Sequence, residues 1–264
     1  MVVQTRPPRR GLIVVTAAIA VVVTAVALFS ASVVRGDPTR QVTAETSAVA
    51  VAVYDRDTDR LLRDEGANQQ FRAASLVKLL IAIDLVQRGH VTPQRPSPRV
   101  RRMLATSDDA IATQLWASGG GTQIVRRTVA SLGLEHTEPP ADPGRWGDTL
   151  VTTQDVLRVY RAVLEMSPAQ RRLLLEPLRE APRQAADGTD QHFGIPDALP
   201  GRSWAIKQGW AAGRGGVDAH TSGLVGPADR YVIVVLTHRP SGTGLANAAL
   251  QLTATTAELE PLLE

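Results

Sequence analysis

The 264-residue sequence contains no cysteine, two lysines and few aromatic residues. Without cysteine there is no disulfide framework, no thiolate zinc site, no cysteine nucleophile and no cysteine to carry a lipid. Aromatic residues make up 4% of the chain, so the core is expected to consist of Ala, Val, Leu and Ile. Basic residues number 29 against 26 acidic ones, and all but Lys78 and Lys207 are arginine. A GC-rich genome explains arginine wherever only a positive charge is needed. It does not explain two positions that keep lysine, and these are candidate functional sites.

The net charge of +3 is not a nucleic-acid signature. Residues 1–35 hold Arg6, Arg9, Arg10 and Arg35 and no acidic residue, and from Gly36 onward the balance is close to neutral. Arg99, Arg101 and Arg102 lack interleaved aromatics and read as a solvated helix face, so no nucleic-acid partner is expected. A basic tail (1–10) precedes an uncharged, Val- and Ala-rich run over 11–34. About 20 apolar residues span a bilayer as a helix, whereas a signal-peptide core is typically ~7–15. Length favours an uncleaved transmembrane signal anchor with the basic end cytoplasmic. The other reading is a long signal peptide cut near Ser30, Ala31 and Ser32. Either way the rest of the chain is expected outside the cytoplasm, as a single-pass protein of the cell membrane or a secreted one.

Residues 35–46 read as a linker and 47–264 as one domain. SAVAVAVYD over 47–55 suits a strand, DRDTDR a turn, and Leu61–Arg63 a return strand. Helices are expected from Leu76 to a Gly89 C-cap, around Val100–Leu104, through Trp116, over Gln123–Leu132, from a Thr152 or Thr153 cap through Met166, and over Pro168–Arg179. A Pro/Gly-rich loop covers 133–150, and 182–201 is irregular. Strands follow at Ser203–Trp210, Val217–Val225 and Tyr231–Thr237, then a helix over Thr243–Leu259. Strands at both ends and helices between them give an α/β or α+β fold. Its sheet is built from both termini (about 47–75 and 195–264), with helices inserted over 76–194.

Ser75 and Lys78 lie three residues apart on one face of an apolar helix. Burial lowers a lysine pKa, and a depressed amine can take a proton from a nearby hydroxyl, which arginine cannot do. The helix start also supplies N–H groups and positive dipole for a developing oxyanion. Lys207-Gln208-Gly209 lies in a strand pattern. Ser107-Asp108-Asp109 sits before a helix, where by itself it reads more readily as an N-cap than as a catalytic loop. His90, His136, His192 and His238 show no metal-ligand spacing, and no G-x-S-x-G elbow is present. No metal or cofactor is expected.

In this order the three segments resemble the S-x-x-K, S-D-N and K-T-G motifs of the penicillin-recognising serine hydrolases, the class A β-lactamases and penicillin-binding D,D-peptidases. The resemblance runs over about residues 45–260, in a shortened, partly divergent form of actinobacterial type, and RWGDTLVTTQDV at 145–156 is similar to the exit of that family's omega loop. It implies a β-lactamase/transpeptidase-like fold and an acyl-enzyme on Ser75. Lys78 would be the general base, Ser107 a proton relay and Lys207 the source of positive potential. The oxyanion hole would be the N–H groups of Ser75 and Trp210. The implied partner is a β-lactam or a peptidoglycan stem peptide, bound by a monomer. Asp109 stands in place of asparagine and would favour Lys78 as ammonium. Gln208 and Gly209 would border the substrate, the Gln208 amide donating to its carboxylate, and His220 and Arg214 are further candidates for that carboxylate. Glu138, with Asp142 four residues on, is the candidate deacylating group. The shorter Ser75-to-Ser107 interval implies a reduced helical lobe. Besides a β-lactamase-like hydrolase, a D,D-carboxypeptidase or penicillin-binding protein with slow deacylation and a non-catalytic cell-wall-binding relative remain open.

Overall fold

The structure, a computed structural model, describes residues 40–41, 46–213 and 215–264. The apolar run at 11–34, nearly all of the linker and Arg214 lie outside the described residues. Among the described residues no helix is long and apolar enough to cross a membrane.

In chain order the elements are β1 (Arg40–Gln41), β2 (Ala48–Asp55), β3 (Arg60–Glu65), β4 (Gln69–Arg72), α1 (Val77–Gln87), α2 (Pro98–Ala105), α3 (Asp109–Gly119), α4 (Thr122–Leu132), β5 (Leu150–Val151), α5 (Thr153–Glu165), α6 (Pro168–Arg179), α7 (Ile195–Ala198), β6 (Trp204–Gly213), β7 (Gly216–Val225), β8 (Tyr231–Arg239) and α8 (Leu245–Ala257). The main sheet has the order β3-β2-β8-β7-β6 with every neighbour antiparallel, so both ends of the domain meet where β2 pairs with β8. A small second sheet, β1-β4-β5, holds the strand that leads to Ser75.

Period-two alternation divides the core between the two faces of the main sheet. Ala50, Ala52, Val232, Val234 and Leu236 face helices α1 to α6. Val51, Val53, Ile233 and Val235 face α7 and α8. In β2 the alanines thus admit the helical layer closely, while the valines fill the space under α8. The expected helices over 123–132 and 168–179 form within a residue of their bounds. Strands β4 and β5 and helix α7 carry no sequence signal of their own. The strands owe their pairing to each other, and α7 is a single turn pinned where Thr221 accepts from the Ile195 N–H at 3.1 Å.

Asp55, buried at the end of β2, joins the two halves of the sheet. It takes a two-pronged ion pair from Arg230 (3.0 and 2.8 Å) and accepts from the Asp57 N–H and the Thr58 hydroxyl. The Arg230 hydrogen bonds, against the opposing effect of burial, hold the Asp55 carboxyl well below the usual carboxylate range. A depressed folded-state pKa adds stability above the unfolded value, about 3.9, and loses it as pH falls toward the folded one. Asp55→Asn is therefore expected to unfold at lower denaturant than the parent at pH 5–8, with the difference closing below about pH 4. A gap that persists undiminished to pH 2 would contradict the assignment.

Candidate active site

The chain reaches Ser75 through β4. The Ala73 N–H donates to the Thr149 carbonyl at 2.7 Å, Ala74 adopts a left-handed φ of 45°, and Ser75 lies in the single 3₁₀ turn Ala74–Leu76 that runs into α1. One turn on, the Lys78 side chain is 0% exposed, with its Nζ 2.5 Å from Ser75 Oγ. The same Nζ lies 2.9 Å from the Ser107 carbonyl oxygen, 3.1 Å from Ser107 Oγ and 2.5 Å from Asp109 Oδ1. An ammonium offers three protons, and a neutral amine two protons and one lone pair, so these four polar neighbours exceed the three hydrogen bonds that either form can make.

Ser-Asp-Asp turns out to be a cap and part of the site together. Asp108 is the N-cap of α3, accepting from the Ile111 N–H at 3.0 Å and pairing with Arg102. With that cap formed, Ser107 is held at a φ of 55° and both Ser107 and Asp109 contact Lys78. Two non-glycine residues in the left-handed region, Ala74 and Ser107, thus flank the reactive groups, a kind of strain that concentrates at functional sites.

Strand β6, the edge of the main sheet, brings in the second lysine. Lys207, 1% exposed, donates to Ser107 Oγ at 2.9 Å and to the Gln208 carbonyl at 3.0 Å. Ser107 Oγ therefore bridges two buried amines. Gly209 permits the approach: a Cβ there would lie 2.9 Å from the Ala73 carbonyl oxygen and 3.2 Å from Leu76 Cγ. Burial lowers the Lys78 pKa, opposed by the Asp109 carboxylate beside it. Burial, and then the charge of Lys78, push Lys207 well below the usual amine range. Two cations sharing one serine oxygen disfavour full charge on both. A proton can move between the amines through Ser107.

Four expected site residues stand elsewhere. Alternation along β6 puts Gln208 on the α7 side, buried, where its amide donates to the Phe193 carbonyl, so it does not reach a cleft carboxylate. His220 is buried with Nε2 on the Arg72 carbonyl (2.8 Å) and Nδ1 accepting from the Thr237 N–H (3.1 Å), which uses both ring nitrogens. Glu138 is exposed on the rim of the small sheet. Its backbone pairs with Leu150 and its carboxylate accepts from Gln70 at 2.9 Å, outside the cleft lining. Asp142 closes an exposed turn onto the Gly144 N–H.

The cleft over Ser75, about 380 Å³, is lined instead by two groups that sequence reading passed over, Arg72 and Asp187, together with Trp146, Asp109 and Trp210. The Trp146 ring lies 4.9 Å from Lys78 Nζ. Asp187 accepts from the Thr189 N–H and from Trp210 Nε1 (3.1 Å), and these bonds outweigh burial to lower its pKa. Arg72 closes the other end through Asp218 (2.6 Å), which His238 holds from behind at 2.6 Å. An Asp-Gly turn signal marks Asp187. Arg72 had none, because β4 is only four residues long.

Because the sequence has two lysines and both lie here, lysine-selective ¹⁵N labelling gives two ammonium signals that report on the site alone. Asp109→Asn removes the carboxylate that favours the Lys78 ammonium, so the Lys78 signal is expected to titrate at lower pH than in the parent. Unchanged titrations would show that Asp109 does not set the charge of the pair.

The beta-lactamase enzyme family model matches residues 99–258. "Putative lipoprotein LppW" of Mycobacterium tuberculosis is 35% identical over 224 residues, 80% of this chain and 71% of that protein. Among solved structures, the fold is similar to PBP-A (TM-score 0.62, 21% identity, 82% of this chain and 91% of that one) and to a class A beta-lactamase from Mycobacterium abscessus (TM-score 0.64, 19% identity, 82% and 94%). The matched span includes Ser107 and Lys207, and with the relative and the shared fold it decides the family. The chain belongs to the beta-lactamase enzyme family.

Proposed function

We propose that the protein is an exported serine hydrolase that forms an acyl-enzyme on Ser75 with β-lactams or D-Ala-D-Ala-like peptides and releases it slowly. The observation that carries this reading is the 2.5 Å contact between Ser75 Oγ and the buried Lys78 amine. Neutral Lys78 takes the Ser75 proton as Oγ bonds to the carbonyl carbon. The C–N bond then breaks, and the proton passes through Ser107 Oγ to the departing nitrogen. The N–H groups of Ser75 and of Trp210, on the edge strand, are the donors assigned to the oxyanion. Lys207, on taking a proton through Ser107, supplies positive potential. Arg72, whose Nη1 and Nε have no partner among the described residues, is the group assigned to a substrate carboxylate.

Slow release follows from the cleft's carboxylates. Asp109 is engaged by Lys78, Asp148 by Arg145 and Asp187 by Trp210, so none stands ready to activate a water. One of the solved neighbours is an acyl-enzyme complex of a PBP-A mutant with penicillin G, which makes the same adduct the natural probe here. LppW is named as a lipoprotein, and this chain has no cysteine to lipidate. Residues 11–34 are the segment we assign to membrane attachment or export.

The Asp109–Lys78 ion pair favours a second reading, a cleft that binds cell-wall peptides without chemistry. Fluorescent penicillin separates the two. Covalent label on the parent that is absent in Ser75→Ala, about 10²–10⁴-fold slower in Lys78→Arg, and stable to chase supports the hydrolase. Arg72→Gln is expected to raise the half-saturating penicillin concentration about tenfold or more without moving the site of attachment. No label on the parent at millimolar penicillin would leave the binding-only reading.

A further inference from the structure

Away from the cleft, arginine collects in a pocket of about 340 Å³ between α6 and the β7–β8 connection. Helix α6 places Arg172 and Arg179, seven residues apart, on one face, and the adjacent Arg171 lines the same pocket from the next position around the helix. Arg56, the residue after β2, enters from the opposite wall. The one carboxylate in the lining is Asp229, paired with Arg179 at 2.5 Å. Four guanidiniums against one carboxylate is a local excess of positive charge over the near-neutral average of the domain.

Three of the four guanidiniums are held in place. Arg56 donates to the Ala228 and Asp229 carbonyls at 2.9 and 2.7 Å, and both of those residues adopt left-handed φ (54° and 58°). Arg171 donates to the Leu164 carbonyl at 3.0 Å, and Arg179 is fixed by Asp229. Carbonyl partners orient a guanidinium without neutralising it. Arg172 has no ion-pair or hydrogen-bond partner among the described residues. A volume of this size falls within the range of small-ligand sites, about 300–1,000 Å³. A planar, permanently charged donor fork matches phosphate oxygens, and a phosphate ester or diphosphate carries enough charge to balance several arginines where a single carboxylate does not.

We propose that this pocket is a binding site for a small, soluble phosphate-bearing ligand of the phosphomonoester or diphosphate class. The concave shape, walled by a helix on one side and a strained turn on the other, suits a small anion that is enclosed more than a membrane surface that is touched. The site is independent of the Ser75 chemistry.

Inorganic pyrophosphate, titrated calorimetrically into the full chain at 150 mM NaCl, is the probe. Saturable one-to-one binding is expected, with affinity at least tenfold weaker in Arg172→Gln and undetectable in Arg171→Gln/Arg172→Gln. The exposed Arg126→Gln on α4 removes the same charge elsewhere and should bind like the parent. Thermal unfolding of each variant checks that the fold persists, and Arg172→Gln removes a side chain with no partner to lose. Absence of saturable binding by the parent, or equal weakening in Arg126→Gln, would overturn the site. Binding to phosphatidylglycerol vesicles without binding to pyrophosphate would overturn its assignment to a soluble ligand.

Discussion

Two lysine amines buried against one serine oxygen set the terms for the rest of the domain. Lys78 and Lys207 both reach Ser107 Oγ, and neither is in contact with solvent. Burying an amine is tolerable if it is neutral or well partnered, and two so close cannot both be cations at ordinary cost. Each of the surrounding elements answers that constraint. Helix α1 is apolar on nearly every side and holds Lys78 without solvent, and the Asp108 cap fixes the angle at which Ser107 is presented. On the far side, Gly209 lets the edge strand approach within contact of the Ser75 turn, so that Lys207 can arrive from the sheet.

Asp109 changes the balance of this arrangement. As the exposed partner of a buried amine, its side chain being 65% exposed against 0% for Lys78, it draws charge to the side of Lys78 that faces the cleft. With Ser107 between the amines, the proton that Asp109 holds on Lys78 has a path to Lys207. In the proposed chemistry, a carboxylate in place of an amide therefore does not silence the site; it makes activation of Ser75 depend on where one shared proton sits. The cleft charges extend the same logic outward, with Arg72 at one end and Asp187 beside Trp210 at the other. On the proposed reading, a ligand that carries a carboxylate is steered to the Arg72 end.

Much of this was legible in the sequence, for reasons that differ from element to element. Lys78 stood out because an apolar helix keeps a lysine only when the amine is used. The alternating Val and Ala of β2 gave the strand and, with the strands near the C-terminus, a sheet made from both ends. Asp109 as the partner of Lys78 followed from the resemblance of Ser107-Asp108-Asp109 to the S-D-N motif. What was not legible depended on contacts distant in sequence. Gln208 and Lys207 are adjacent, and only the facing of β6 decides that one enters the site and the other binds the Phe193 carbonyl. His220 lies on the strand next to Lys207, yet both its nitrogens are used by backbone groups. Glu138 sat at a plausible distance along the chain, but its backbone pairing with Leu150 carries it to the small sheet. Arg72 was hidden because a four-residue strand has no periodicity to read.

The claim on which the chemistry turns is that neutral Lys78 activates Ser75. The direct measurement is the second-order rate of penicillin acylation across pH, recorded beside the titration of the Lys78 signal in the same lysine-labelled protein. If Lys78 is the base, the acylation rate rises with pH through the midpoint at which Lys78 loses its proton, and the two curves superimpose. A rate that stays level through that midpoint, or that follows a group other than Lys78, would contradict it.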